Sequence, residues 1–206
     1  MKKIMIPAEK AEFELSIKKS RFISLLFPVD NDRDVRRILK ELREEHTGAN
    51  HVVWTYVLGD EGTLYGLSDD GEPHGTAGRP VLEVLKGSGL TYAALFVVRY
   101  FGGTKLGTGG LVSAYTQAAQ EVLAVAEQIE KIDKSEISLR CSYSQYEGVK
   151  KILLEEKAEE LIENFEEDVQ IKAHIPTGNT KSCRNRIQDY TKGSVEMEIP
   201  DAADKE

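Results

Sequence analysis

The chain has 206 residues, 40% hydrophobic and 30% charged, a composition typical of a soluble globular protein with one large or two small domains. Its net charge of −8 argues against a surface coated in basic residues for non-specific nucleic-acid binding. No run of about 18 apolar residues occurs, so no segment is predicted to span a membrane.

The distribution of charge and the cysteine content restrict the possible binding partners and the cellular compartment. Residues 1–134 carry 17 Lys and Arg against 19 Asp and Glu, a net charge of −2, whereas residues 135–206 carry 10 against 16, a net charge of −6. Any basic patch must therefore be small. The start, MKKIMIPAEK, lacks the apolar segment of a signal peptide, and Cys141 and Cys183 match no metal spacing. We expect free thiols in a reducing cytoplasm.

The first elements are two strands joined by a basic turn. Phe13, Leu15 and Ile17 alternate with polar residues and predict a half-buried strand, and residues 22–29 predict a more buried one. Between them, residues 18–21 read Lys-Lys-Ser-Arg. This turn either contacts a partner or is simply solvated.

A helix is predicted from Arg33 to Glu45, with Asp32 as its N-cap. Val35, Ile38 and Leu42 recur at helical spacing, so one face is expected to pack on a sheet. The rest of the helix surface carries a ridge of basic residues with glutamates between them. Its members are Arg33, Arg36, Arg37, Lys40 and Arg43. The ridge is either a partner surface or an ordinary solvated face.

A long polar loop follows two predicted strands, residues 51–58 and 63–67, and precedes a short helix over residues 81–86. The loop spans residues 68–80, and a loop of this length and polarity is usually functional or disordered. Its spacing fits neither an EF-hand nor a zinc motif, so no metal site is predicted. We expect one of its carboxylates to pair with Arg99 or Arg79, and His51 to be a hydrogen-bonding strand end. The loop candidates are Asp69, Asp70, Glu72, His74, Arg79 and Arg99.

A glycine-rich segment, residues 99–110, links a buried strand at Leu95–Val98 to a helix whose apolar period starts at Leu111. Glycines permit positive φ and close backbone approach, and a helix start presents unpaired N–H groups to an anion. The segment matches neither a P-loop nor a dinucleotide fingerprint. It is either an anion site or only a tight turn. The anion-binding candidates are Gly102, Gly103, Lys105, Gly107, Thr108, Gly109 and Gly110.

A domain boundary is predicted in the polar residues 128–135, which separates a domain of residues 1–130 from one of residues 135–200. The second domain reads as strand (136–143), helix, two strands (about 160–165 and 168–175), helix and a last strand through Val195, Met197 and Ile199. This βαββαβ order is that of a ferredoxin-like unit. The final DAADKE is expected to be disordered.

The segments DDGEPHGTAGRP and VVRYFGGTKLGTGGLVSAY closely resemble the signature of the IMPACT family, and KKSRFI and HVVWTY fit the same pattern. With its ferredoxin-like tail the chain is most similar to the bacterial, YigZ-like members. It departs from the pattern at His74, where a serine is usual, and at Ser113, where an arginine is common. The second change removes a positive charge beside the glycines.

The resemblance implies an α+β protein, with an N-terminal α/β domain like that of a ribosomal protein and a small C-terminal ferredoxin-like domain. It also implies a link to translation, because eukaryotic members restrain a stress kinase of translation initiation. No kinase nucleotide loop or catalytic base is recognisable, so the shared fold carries no activity with it.

Three functions remain open from the sequence. The first is a non-catalytic cytoplasmic protein, without cofactor, that contacts RNA, the ribosome or a translation factor. The second is an enzyme or binder of a phosphorylated small molecule, with Gly107 to Gly110 holding phosphate and Asp70 or Glu72 as base. The third is a protein–protein adaptor. The oligomeric state is not determined by the sequence.

Overall fold

The computed structural model describes residues 3–199. The chain divides into two compact units, the first ending at Lys131 and the second beginning at Ile132. The segment DAADKE, expected to be disordered, lies outside the described residues. Within residues 3–199 no helix has the length and apolar character needed to cross a membrane.

The first unit is built on a five-stranded antiparallel sheet in the order β2-β3-β6-β4-β5, and β1 and β7 form a separate two-stranded ribbon. The strands are β1 (Met5–Pro7), β2 (Ala11–Ile17), β3 (Ser20–Pro28), β4 (His51–Leu58), β5 (Leu64–Ser68), β6 (Ala93–Tyr100) and β7 (Gln128–Glu130). The helices are α1 (Asp32–Glu45), α2 (Gly78–Ser88) and α3 (Gly107–Val125).

Helices cover both faces of this sheet. Val35, Ile38 and Leu42 of α1 pack on one face, while α2 and α3 pack on the other. The central strand β6 therefore points successive side chains into two apolar cores: Phe96 faces α1 and Val97 faces α2 and α3. This double burial explains why its sequence is an unbroken apolar run.

Three helix starts differ from the sequence predictions. Asn31, not Asp32, caps α1: its backbone is extended and its Oδ1 accepts hydrogen bonds from the N–H groups of Arg33 and Asp34. The helix α2 begins three residues before the predicted start, and α3 begins at Gly107 rather than Leu111. The first residue of both α2 and α3 is a glycine, which has no side chain and so contributes nothing to the apolar period that predicts a helix start.

The second unit is a four-stranded antiparallel sheet in the order β11-β8-β10-β9 with two helices on one face. Its elements are β8 (Lys134–Cys141), α4 (Tyr143–Glu155), β9 (Glu159–Phe165), β10 (Val169–Pro176), a 3-10 turn (Thr177–Asn179), α5 (Thr180–Thr191) and β11 (Met197–Glu198). The βαββαβ order and the α+β class are confirmed. The last strand has two residues instead of the predicted five.

The two cysteines are both free and buried in the core of this unit. Burial raises the pKa of the Cys183 thiol to about 11 and also raises that of Cys141. The predicted free thiols are confirmed, and both are poor nucleophiles at neutral pH.

Candidate binding site at one end of the sheet

The motifs of the first unit meet at one end of its sheet. Because neighbouring strands are antiparallel, the start of β4 lies beside the ends of β5 and β6, and the turn between β2 and β3 lies at the same end of the sheet, on the other side of β6. We call this region the loop end: the turn at Lys18 and Lys19, His51, the loop of residues 69–77 and the segment of residues 101–106.

A buried ion pair lies at the centre of the loop end. Nη1 of Arg99 donates to Oε1 of Glu72 at 2.5 Å, and the hydroxyl of Tyr115 donates to the same oxygen at 2.7 Å. Glu72 is 8% exposed, Arg99 5% and Tyr115 fully buried. The predicted pairing of Arg99 with a carboxylate of the loop is confirmed, and Arg79 pairs with Glu83 instead.

Aromatic rings surround the Arg99 guanidinium, whose carbon lies 5.4 Å from the ring centre of Phe22 and 5.7 Å from that of Phe101. Its Nε is buried and has no hydrogen-bond partner among residues 3–199. The electron-rich ring faces compensate part of that loss. Burial, and then the charge of Glu72, raise the pKa of Tyr115, so its hydroxyl remains a donor over the physiological pH range.

In the sequence, Tyr115 follows Leu111 by four residues and so belongs to the apolar face of this helix, which predicts no polar role for it. The signal that could have identified it is its phenol group, since a buried tyrosine usually finds a hydrogen-bond partner.

The other two carboxylates of the loop, those of Asp69 and Asp70, accept hydrogen bonds from backbone N–H groups. Asp69 accepts hydrogen bonds from the N–H groups of Gly75, Ala77 and Gly78 and so fixes the start of α2. Asp70 accepts from the N–H of Val52 at 2.6 Å and pairs with Arg43 at 2.6 Å.

The two histidines of this region play different parts. Nδ1 of His51 donates to the Asp70 carbonyl at 2.8 Å. This confirms the prediction that His51 makes a hydrogen bond at the end of its strand. The imidazole of His74 is exposed, and its Nδ1 lies 3.6 Å from Asp69. Among residues 3–199 no group of three or more His, Cys, Asp or Glu side chains is arranged to hold a metal ion.

The glycines of residues 99–110 meet different structural demands. A Cβ on Gly102 would lie 2.0 Å from the carbonyl of Lys19, so only glycine allows this close approach of two backbones. Gly103 and Gly107 have φ of +84° and +74°, which a side chain disfavours. Gly109 has neither constraint: its φ is not positive and nothing lies within 4 Å of an added Cβ. The first turn of α3 has no side-chain cap.

The basic ridge on α1 is largely neutralised. Arg36 pairs with Asp32, Arg37 with Asp34 and Glu41, Lys40 with Glu44, and Arg43 with Asp70. Arg33 is the one ridge member without an ion pair in the described part of the chain. A polyanion would have to compete with these carboxylates, so the ridge is a weaker anion surface than its sequence indicates.

A second group of basic residues has fewer carboxylates around it than the ridge on α1. Lys18 and Lys19 form the β2–β3 turn, which touches Gly102, and Lys105 follows three residues later in the same segment. These three exposed lysines pair with no carboxylate within residues 3–199. Phe101, 44% exposed, lies in the same segment. We call these four residues the lysine surface: Lys18, Lys19, Phe101 and Lys105.

An aromatic stack borders the lysine surface. The Arg21 guanidinium lies 4.4 Å from the ring centre of Tyr100 and 3.8 Å from Glu14, and the Tyr100 hydroxyl hydrogen-bonds Nδ1 of His46. The sequence showed Lys18, Lys19 and Lys105 separately but gave no sign that the turn and the glycine segment touch.

Comparison with known proteins places this arrangement in a family. The family model of the Impact N-terminal domain matches residues 18–123, a range that includes every residue of the loop end. The chain is 33% identical to an IMPACT family member of Haemophilus influenzae over 97% of its length and 98% of that protein's. It is 34% identical to the IMPACT family member YigZ of Escherichia coli over 96% and 98%. The chain therefore belongs to the IMPACT family.

Structural similarity extends over both units. A crystal structure of a hypothetical protein matches with a TM-score of 0.69 and 33% identity, covering 98% of this chain and 99% of that one.

Proposed function

We propose that this protein is a non-catalytic binding protein that contacts RNA, including ribosomal RNA, through the lysine surface and thereby regulates translation. The observation that carries the proposal is the contact of the Lys18–Lys19 turn with Gly102. This contact brings three lysines that pair with no carboxylate within residues 3–199, and the exposed Phe101, to the loop end. Lysines supply phosphate contacts, and an exposed aromatic ring offers a stacking platform for a base. Membership of the IMPACT family, whose eukaryotic members act in translation, supports the regulatory part.

The carboxylates support a binding role over an enzymatic one. A general base must reach its substrate, yet Glu72 is buried and its Oε1 already accepts from Arg99 and Tyr115. The carboxylate of Asp70 is held by the N–H of Val52 and by Arg43. Both candidate bases thus stabilise the loop, and nothing in their geometry favours the phosphorylated small molecule as a substrate.

The test is filter binding of a mixed-sequence single-stranded RNA over a salt series. The variant Lys18→Ala/Lys19→Ala/Lys105→Ala removes three contacts, and since each contributes about 0.7 to the slope of log K against log salt, the slope should fall by about 2. Phe101→Ala should weaken binding by about 1–3 kcal/mol at all salt concentrations.

The matched control is Arg33→Ala/Arg36→Ala/Lys40→Ala, which removes the same charge from α1. Under the proposal this control leaves the slope unchanged. If both triple variants lose the same amount of affinity, binding depends on overall charge and the lysine surface has no special role.

A further inference from the structure

The second unit has an open edge at β9. In the sheet order β9 is the last strand and pairs only with β10 among the described residues. At the hairpin, the N–H of Glu166 donates to the carbonyl of Asp168. Because hydrogen-bonded pairs alternate along an antiparallel ladder, Asn164 and Ile162 then bond to β10. The N–H and C=O groups of Glu163 and Phe165 face outward.

The acidic charge of this edge is concentrated at its hairpin end. Three carboxylates of β9 have basic neighbours: Glu159 pairs with Lys134, Glu160 lies beside His174, and Glu163 pairs with Lys150. The hairpin that follows adds three exposed carboxylates that form no ion pair within residues 3–199. They are Glu166, Glu167 and Asp168.

Exposed apolar side chains lie among these charges. Ile162 is 60% exposed, and Phe165 is 53% exposed. Ile162 lies opposite Lys172 and Phe165 opposite Val169, so the two side chains point to opposite faces of the sheet. A strand laid along this edge would therefore meet an apolar contact on each face.

Charge decides what can occupy the edge. A second copy of β9 would bring glutamates against glutamates, and like charges facing each other destabilise a strand pair. An RNA phosphate backbone is repelled for the same reason. An extended cationic peptide is attracted, and its main chain can pair with the outward groups of Glu163 and Phe165.

We propose that β9 binds an extended segment of a partner protein, rich in lysine or arginine, which adds to the sheet as a fifth strand. The added strand begins after Glu160, because φ of +53° at that residue and a register shift opposite Ala173 interrupt the regular edge. This site lies in the other unit from the lysine surface and does not depend on RNA binding.

The test uses the full chain, labelled with ¹⁵N, and a synthetic capped peptide of alternating lysine and valine. The peptide should slow amide hydrogen exchange at Glu163 and Phe165, and it should bind more weakly as salt rises. A peptide of the same length that alternates glutamate and valine should not bind. A lysine–valine peptide with a central proline, which lacks one N–H donor, should bind more weakly.

The variant Glu166→Gln/Glu167→Gln should raise the dissociation constant of the lysine–valine peptide about fivefold, as expected for the loss of two surface ion pairs. The matched control is Glu196→Gln/Glu198→Gln, at the opposite edge of the same sheet, which should bind as the original chain does. Equal weakening in both variants, equal binding of the proline peptide, or exchange at Glu163 and Phe165 that the peptide does not slow would each overturn the proposal.

Discussion

The buried pair of Glu72 and Arg99 allows a quantitative prediction. Arg99→Met leaves the Glu72 carboxylate buried, and the hydroxyl of Tyr115 is then its one side-chain hydrogen-bond donor among residues 3–199. Removing one partner of a buried ion pair typically destabilises a protein by about 3–5 kcal/mol, a large part of a domain's total stability of about 5–15 kcal/mol. We expect Arg99→Met to fall in this range.

Glu72→Met should be equally harmful, because it leaves the Arg99 guanidinium buried without its carboxylate. The double variant removes both charges, and buried pairs replaced by apolar side chains are often close to neutral. Its remaining defect is the unpaired hydroxyl of Tyr115, about 1–3 kcal/mol. The double variant should therefore be more stable than either single variant.

Trp54, the only tryptophan of the chain, lies in β4 and makes urea unfolding of the first unit observable by fluorescence. Proteolysis within residues 68–80 reports on the loop separately and should accelerate in Arg99→Met. If the effects of the two single substitutions simply add in the double variant, the two side chains are not energetically coupled, and the reasoning is refuted.

Three further predictions concern packing and folding. Residues 132–206 expressed alone should unfold cooperatively in urea, because their core is complete; a broad, featureless transition would contradict this. Gly102→Ala should destabilise the first unit, since its Cβ would overlap the Lys19 carbonyl, and an unchanged urea midpoint would contradict the close approach of the two segments. Gly148→Ala should cost the second unit little stability, because its Cβ would lie 2.1 Å from the ring of Tyr190, whose side chain is 48% exposed and can move outward; a large fall in the urea midpoint would contradict this.

Patterns that depend on neighbours in the chain were predictable from the sequence. The apolar period of α1 and the unbroken apolar run of β6 predicted those elements, and the order of elements in the second unit predicted its topology. The pairing of Arg99 could be predicted because it ends a buried strand, where an unpaired charge would be costly. Its partner among three loop carboxylates could not be chosen, since local spacing does not say which one reaches the strand end.

Features that depend on contacts between distant segments were missed. β1 and β7 are three residues each, too short to show a period, and they pair across more than 120 residues. The lysine surface arises because the backbone at Gly102 touches that at Lys19. The ridge on α1 was visible as positive charge, but its neutralisation depends on which carboxylates face it, including Asp70 from another loop.

Gly109 distinguishes an anion site from a tight turn in the glycine segment. Gly102, Gly103 and Gly107 have structural reasons to be glycine, whereas Gly109 lies in the first turn of α3 without positive φ or a close neighbour. Glycine within a helix is less stable than alanine by about 0.5–1 kcal/mol. Gly109→Ala should therefore stabilise the protein by that amount, as measured by urea unfolding.

The same substitution should weaken RNA binding if phosphate approaches the backbone N–H groups of this turn, because the new methyl group occupies the open space. Gly87→Ala, at an equally open position in α2, is the matched control and should leave RNA affinity unchanged. A stabilised Gly109→Ala protein that keeps its full RNA affinity would mean that the glycines only make the turn. The contact with RNA would then rest on the lysines and Phe101 alone.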